Sequence, residues 1–172
     1  MPKKLKDRLR KDTVRYGQTV IDSNEMKQAF RQKHHRRITV GEHTFRVLIS
    51  SLIVCYILER FNIKINIHAV VVAALCHDLG MLGRYDKFSS PIECSTQHPK
   101  DSVKVAKKLV PNISHKTENI IESHMWPIAI TNKPNSVEGV IVSVTDKYNA
   151  VKDLIRGSNN NSIRAKQYVL AS

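Results

Sequence analysis

The sequence predicts an all-α protein, and three features carry that reading. Through the longest apolar segment, Phe45, Leu48 and Ile49, Leu52 and Ile53, Tyr56 and Ile57, and Phe61 recur at the spacing of one buried helix face. Helix starts and stops punctuate the chain, with Asp22, Ser23, Asn66, Ser114 and Ser136 as caps and Pro111 and Pro127 as stops. No segment alternates apolar and polar residues as a half-buried strand does. The runs 67–72 and 137–144 are rich in Val and Ile, which lean toward strands. Their length favours fully buried helices, which need no alternation.

Taken in order, residues 1–17 read as a basic N-terminal arm, solvated and partly disordered, carrying Lys3, Lys4, Lys6, Arg8, Arg10, Lys11 and Arg15. A helix capped by Asp22 or Ser23 is expected to about residue 33, and a second over about 40–61. Asn66 caps a third over 67–79, ended by Gly80 and Gly83, and residues 81–97 read as a loop. Pro99 suits the first turn of the next helix, to about 110, because its missing N–H would be unpaired there anyway. Ser114 opens a helix to about 125, and Ser136 with Glu138 opens a last one to about 156. Residues 157–162, Gly-Ser-Asn-Asn-Asn-Ser, read as a linker to a short tail. The expected organisation is therefore a basic arm (1–17), one helical domain (18–156) and a linker with C-terminal tail (157–172).

A chain of 172 residues with 41% hydrophobic content can bury one core without disulfides. Its three cysteines, Cys55, Cys76 and Cys94, are odd in number and lack C-x-x-C spacing, so they imply neither a disulfide framework nor a thiolate zinc site. Free thiols suit a reducing compartment. With no signal-peptide core at the N-terminus and no run near about 18 apolar residues, a soluble cytoplasmic protein without a membrane partner is expected. Its 28 Lys and Arg against 15 Asp and Glu leave a formal charge of +13, which calls for an anionic partner. That partner is a phosphate-containing substrate, a nucleotide first of all, with nucleic acid possible through the basic arm.

The chemistry lies in His43, His77, Asp78, His98, His124 and Asp146. Imidazole and carboxylate together suit iron, manganese or zinc, and a carboxylate can bridge two ions. Their neighbours at helical spacing are small: Ser50 and Ser51 near His43, Ala73 and Ala74 near His77 and Asp78, Ser143 and Ala150 near Asp146. Small residues let helices approach around an ion, and inward-facing polar groups need such a partner. Two ions held this way would lower the pKa of a water and neutralise a phosphoryl oxygen, so hydrolysis of a phosphate ester or anhydride follows. Arg84, Lys87, Lys147, Arg36 and Arg37 are candidates to meet the phosphate, and Asp101, three residues past His98, is a candidate to orient its imidazole. His34, His35, His68 and His115 lack ligand context, although His34 or His35 can border the site.

The segments GEHTFRV, AALCHDLGM, QHP, SHMWP and VTDKYNA resemble the HD-domain superfamily of metal-dependent phosphohydrolases over about residues 38–155. The resemblance implies an all-helical fold and assigns His43, His77, Asp78 and Asp146 to a first metal. His98 and His124 look like the additional ligands of two-metal members, with Asp78 bridging both ions and thereby serving catalysis. Four departures narrow it. Met81 stands where HD-GYP phosphodiesterases carry lysine, and no Gly-Tyr-Pro follows His124. Thr39 stands where some relatives place a third-metal carboxylate, and the Glu-Asp pair of alarmone hydrolases is missing. The alternatives are a metal- and nucleotide-binding regulatory module with slow turnover, and a nucleic-acid-binding protein whose metals are structural.

Overall fold

A computed structural model describes residues 1–35, 38–129 and 132–156. Arg36, Arg37 and the 157–172 linker and tail lie outside the described residues. The fold is all-α as expected, with helices α1 (Lys3–Ile21), α2 (Asn24–Ala29), α3 (Val40–Arg60), α4 (Ile67–Cys76), α5 (Arg84–Lys87), α6 (Pro91–Leu109), α7 (His115–Glu122) and α8 (Val137–Arg156). A 3-10 turn spans Leu79–Met81. Strands β1 (Lys33–His35) and β2 (Ile38–Thr39) pair antiparallel, an element with no alternation long enough to be legible.

The centre of the bundle is α4, whose apolar residues from Ala69 to Cys76 are all buried. Around it pack α1, α3 and α7, and α8 closes the bundle against α3. The capping residues act as expected: Ser23, Asn66 and Ser114 each accept a hydrogen bond from a backbone N–H three residues on. Thr39 and Glu42 add a reciprocal capping box at the start of α3. Long and apolar enough to span a membrane by composition, α3 serves here as a core helix, burying Phe45, Leu48, Leu52 and Cys55.

Two expectations are corrected. Residues 1–17 are not a separate arm but most of α1, whose Leu9, Thr13, Gly17 and Val20 are buried at helical spacing against the bundle. The lysines and arginines occupy the opposite face, and Arg8 lies over the Tyr56 ring at 3.8 Å while its guanidinium meets Glu59. The second correction concerns residues 81–97, which hold α5 and the first two turns of α6. Ser90 is the true cap and Pro91 the first-turn proline, which leaves Pro99 inside the helix.

That placement matters because α6 docks on the turn after α4. Gly80 sits under it so closely that a Cβ there would lie 2.5 Å from Ser102 N and closer still to the His98 carbonyl oxygen, both backbone atoms. Ser102 then locks the contact, its Oγ donating to the His77 carbonyl at 2.5 Å and accepting from Gly80 N at 2.9 Å.

Two substitutions test this packing by thermal and denaturant unfolding. Leu9→Ala should cost about 2–4 kcal/mol, the range for a buried Leu truncation, whereas Lys4→Ala on the exposed face should stay within about 0.5 kcal/mol. Gly80→Ala should cost at least about 1–3 kcal/mol through overpacking, because backbone cannot step aside as a side chain can.

Candidate metal centre

Six elements converge on one site. His34 comes from β1, His43 from α3, His77 and Asp78 from the end of α4, His98 from α6, His124 from just past α7 and Asp146 from α8. All seven are buried, and His43, His77 and His124 show no exposed surface. The six ligands expected from sequence are all brought together.

Asp78 is the hub. Its Oδ2 lies 3.3 Å from His77 Nε2, 3.6 Å from His34 Nε2 and 4.0 Å from His43 Nε2, while its Oδ1 lies 3.4 Å from His98 Nε2 and 3.6 Å from His124 Nε2. Asp146 Oδ1 faces the first group, 2.8 Å from His43 Nε2 and 3.7 Å from His77 Nε2. One carboxylate thus offers one oxygen to each of two imidazole sets.

The rings are oriented from behind. The Nδ1 atoms of His77, His98 and His124 sit 2.9, 2.6 and 2.7 Å from the carbonyls of Ala74, Cys94 and Ile121. A carbonyl only accepts, so each Nδ1 carries the proton and each Nε2 lone pair points into the cluster. Among the described residues, no group meets buried His77 Nε2 in good hydrogen-bonding geometry, the nearest carboxylate being Asp78 at 3.3 Å, and His98 Nε2 stands 3.0 Å from His124 Nε2. Two lone pairs face each other there, so a cation or a proton must lie between them. His43 follows the carboxylate–histidine pattern of metal ligands, with Nδ1 3.0 Å from Asp153 Oδ2 and Asp153 in turn gripped by Arg46.

Electrostatics point the same way. Burial lowers the pKa of His43, yet the bonds to Asp146 and Asp153 outweigh it and lift it to about 9. Burial likewise lowers His77 and His98, but the Asp78 carboxylate dominates and raises them to about 10 and about 9. His124, buried and facing two cationic imidazoles, is pushed down to about 4. Burial would raise Asp78 and Asp146, but the surrounding imidazoles hold both well below the usual carboxylate range. The carboxylates that favour a proton on these imidazoles would equally favour a divalent cation beside them. The donor set fits a metal, and among the described residues three groups could hold one: His34, His43 and Asp78; His43, His77 and Asp146; and Asp78, His98 and His124.

The HD domain model matches residues 40–151, about two thirds of the chain, with every sequence-expected ligand inside the match. The chain belongs to the HD-domain family. HD domains bind divalent metal ions and form a superfamily of metal-dependent phosphohydrolases, which agrees with the convergence of imidazole and carboxylate described above. No curated protein and no solved structure matches the chain.

Beside the candidate ligands opens a cavity of about 640 Å³, lined in part by His34, Asp78, His98 and Asp146. Arg84 and Lys147 line it as well. Arg84 donates to the His34 carbonyl at 2.9 Å, and Lys147 binds Asp146 Oδ2 at 2.9 Å and the His124 carbonyl. Lys87 is directed elsewhere, to Asp101 at 2.7 Å and the Gly80 carbonyl at 3.1 Å. Asp101 therefore does not orient His98; it pairs with Lys87 and Lys104, and the Cys94 carbonyl does the orienting.

Sequence reasoning missed Asp153 and Arg46 and gave His34 no ligand role. Asp153 was findable: it follows Asp146 by two helical turns, and Arg46 follows His43 by one, so both pairs share a face. For His34 there was no periodicity to read, since a three-residue strand places it.

Two measurements check this centre. Asp153→Asn should weaken metal binding about 10–100-fold, the usual effect of losing such a partner, read by competition with a chromophoric chelator. Loading should release protons and tighten as pH rises toward 9, because His43, His77 and His98 must give up protons to bind an ion. Calorimetry in buffers of different ionisation enthalpy reads that release.

Proposed function

We propose that this HD domain is a metal-dependent phosphohydrolase that holds two divalent ions, of iron, manganese or zinc, and cleaves a phosphate ester or anhydride such as a nucleotide or phosphodiester. The observation that carries the reading is the division of Asp78, one oxygen toward His34, His43 and His77 and the other toward His98 and His124. A carboxylate so divided suits a bridge between two ions. Ions bound there would lower the pKa of a water and neutralise charge developing on a phosphoryl oxygen.

The rest is work for the chain's own residues. Asp153 keeps the His43 Nδ1 proton in place, and the three backbone carbonyls do the same for His77, His98 and His124, so each Nε2 stays available. Arg84 and Lys147 put two cations on the cavity wall beside the ligands, where a phosphoryl group would arrive. The bundle keeps the histidines out of bulk water, which strengthens every charge interaction among them. Three free cysteines, two of them buried, fit a cytoplasmic setting.

A second reading rests on the exposed face of α1, where Lys3, Lys4, Arg10, Lys11 and Arg15 lie outward. It suits a nucleic-acid backbone and predicts binding that weakens steeply with salt. Reversing Lys4, Arg10 and Lys11 to Glu tests it without disturbing the buried face of α1.

Elemental analysis paired with a phosphatase and phosphodiesterase assay tests the main reading. The intact chain should carry about two ions, His124→Ala about one and Asp78→Ala almost none, with hydrolysis lost in Asp78→Ala. Hydrolysis that persists in Asp78→Ala would sink it.

A further inference from the structure

Resting on the phosphohydrolase reading, we propose that the substrate of this site carries a single phosphoryl group on a large, uncharged, apolar body. The cavity over the metal ligands is walled mainly by Met81, Phe88, Pro91, Met125, Val151 and Leu154. Its mouth is apolar as well, for the lining residues Tyr85, Ile128, Val151 and Leu154 are 73%, 69%, 55% and 46% exposed. Large apolar side chains gathered in water around a concave site mark a surface that a ligand covers.

Apart from the candidate ligands and the two cations, the lining has few polar groups, and most make contacts of their own, the Tyr85 hydroxyl accepting from Arg84. Ser89 Oγ donates to Glu93 and Ser95 Oγ to the Ile92 carbonyl, while Ser90 Oγ caps α6. A sugar or base edge that gave up its water here would find the Ser89 and Ser95 hydrogens already committed and few groups left to pair with, and leaving its polar groups unpaired is costly. Charge narrows the substrate further. Of the chain's 28 lysines and arginines, the described residues place two in the lining, Arg84 and Lys147. Both are tied to groups beside the ligands, at the His34 carbonyl and at Asp146, so the cations gather where one phosphoryl group would sit. Phe88, Ile128 and Leu154, which line the same cavity, bring no charge of their own to a polyphosphate. The chain's basicity, expected from the sequence to serve the substrate, is spent mostly outside this cavity.

The test uses the full-length, metal-loaded chain and two readouts. Calorimetry with alkylphosphonates, whose C–P bond the reaction leaves intact, should show hexylphosphonate binding on the order of 100-fold tighter than ethylphosphonate, since each buried methylene contributes about fourfold. In Val151→Asp with Ile128→Asp that ratio should collapse to below about tenfold at unchanged metal content, because both changes wet the apolar path. Hydrolysis of hexyl phosphate or 1-naphthyl phosphate should exceed that of ATP or a nucleoside monophosphate in kcat/KM. Affinity independent of chain length, or preference for either nucleotide, would overturn the proposal while leaving a phosphohydrolase standing. Chain-length-dependent binding with no turnover of any phosphate would uphold the apolar site and remove the phosphohydrolase reading instead.

Discussion

Everything at the functional end of this protein is arranged around one buried negative charge. An ionised carboxylate in a protein interior is unfavourable by several kcal/mol or more unless it is paired and hydrogen-bonded. Asp78, 3% exposed, is surrounded by five imidazoles from five different elements. Three of those imidazoles cannot turn away, because backbone carbonyls hold their Nδ1 atoms. The polar core is therefore satisfied only when positive charge sits among these Nε2 atoms, as protons or as metal. The helices bring the ligands to within reach, and Asp78 sets where the charge must go.

This constraint explains features that look like defects taken singly. A proline within α6 removes one backbone donor from the helix. The same helix sets the His98 ring against the Cys94 carbonyl and lays its backbone on Gly80. A glycine there is required by close approach rather than by an unusual backbone angle, which differs from Gly83, whose φ of 72° lies in the left-handed region. Arg46, partly exposed, neutralises the buried Asp153 that the His43 ring needs behind it. Support for the ligands thus extends outward from metal position to ring, carboxylate and guanidinium.

Much of this was legible in the sequence, and the gaps have physical causes. Helices α3, α4 and α7 announce themselves through caps and through apolar spacing at 3.6 residues. The convergence of these six residues could be anticipated because such residue types are rarely buried without purpose, and six in the order of the HD family are hard to produce by chance. The first helix was obscured by its own lysines, which cover a face while Leu5, Leu9, Thr13 and Gly17 repeat every four residues beneath them. The start of α6 was misplaced because Pro91 and Pro99 can both open a helix, and only Ser90, one residue ahead of Pro91, distinguishes them. His34 depends on a short hairpin set by tertiary contacts, and no local pattern reports those.

The hydrogen bond between His43 and Asp153 joins residues 110 positions apart in the chain. Ligands from α3 must wait for α8, which is the last helix described, so no shorter fragment from the N-terminal side contains the complete centre. Closing so long a loop is entropically unfavourable until the helices between have packed. Metal capture by the full ligand set is consequently a late event in the life of a newly made chain, and occupancy reports that the whole bundle has closed.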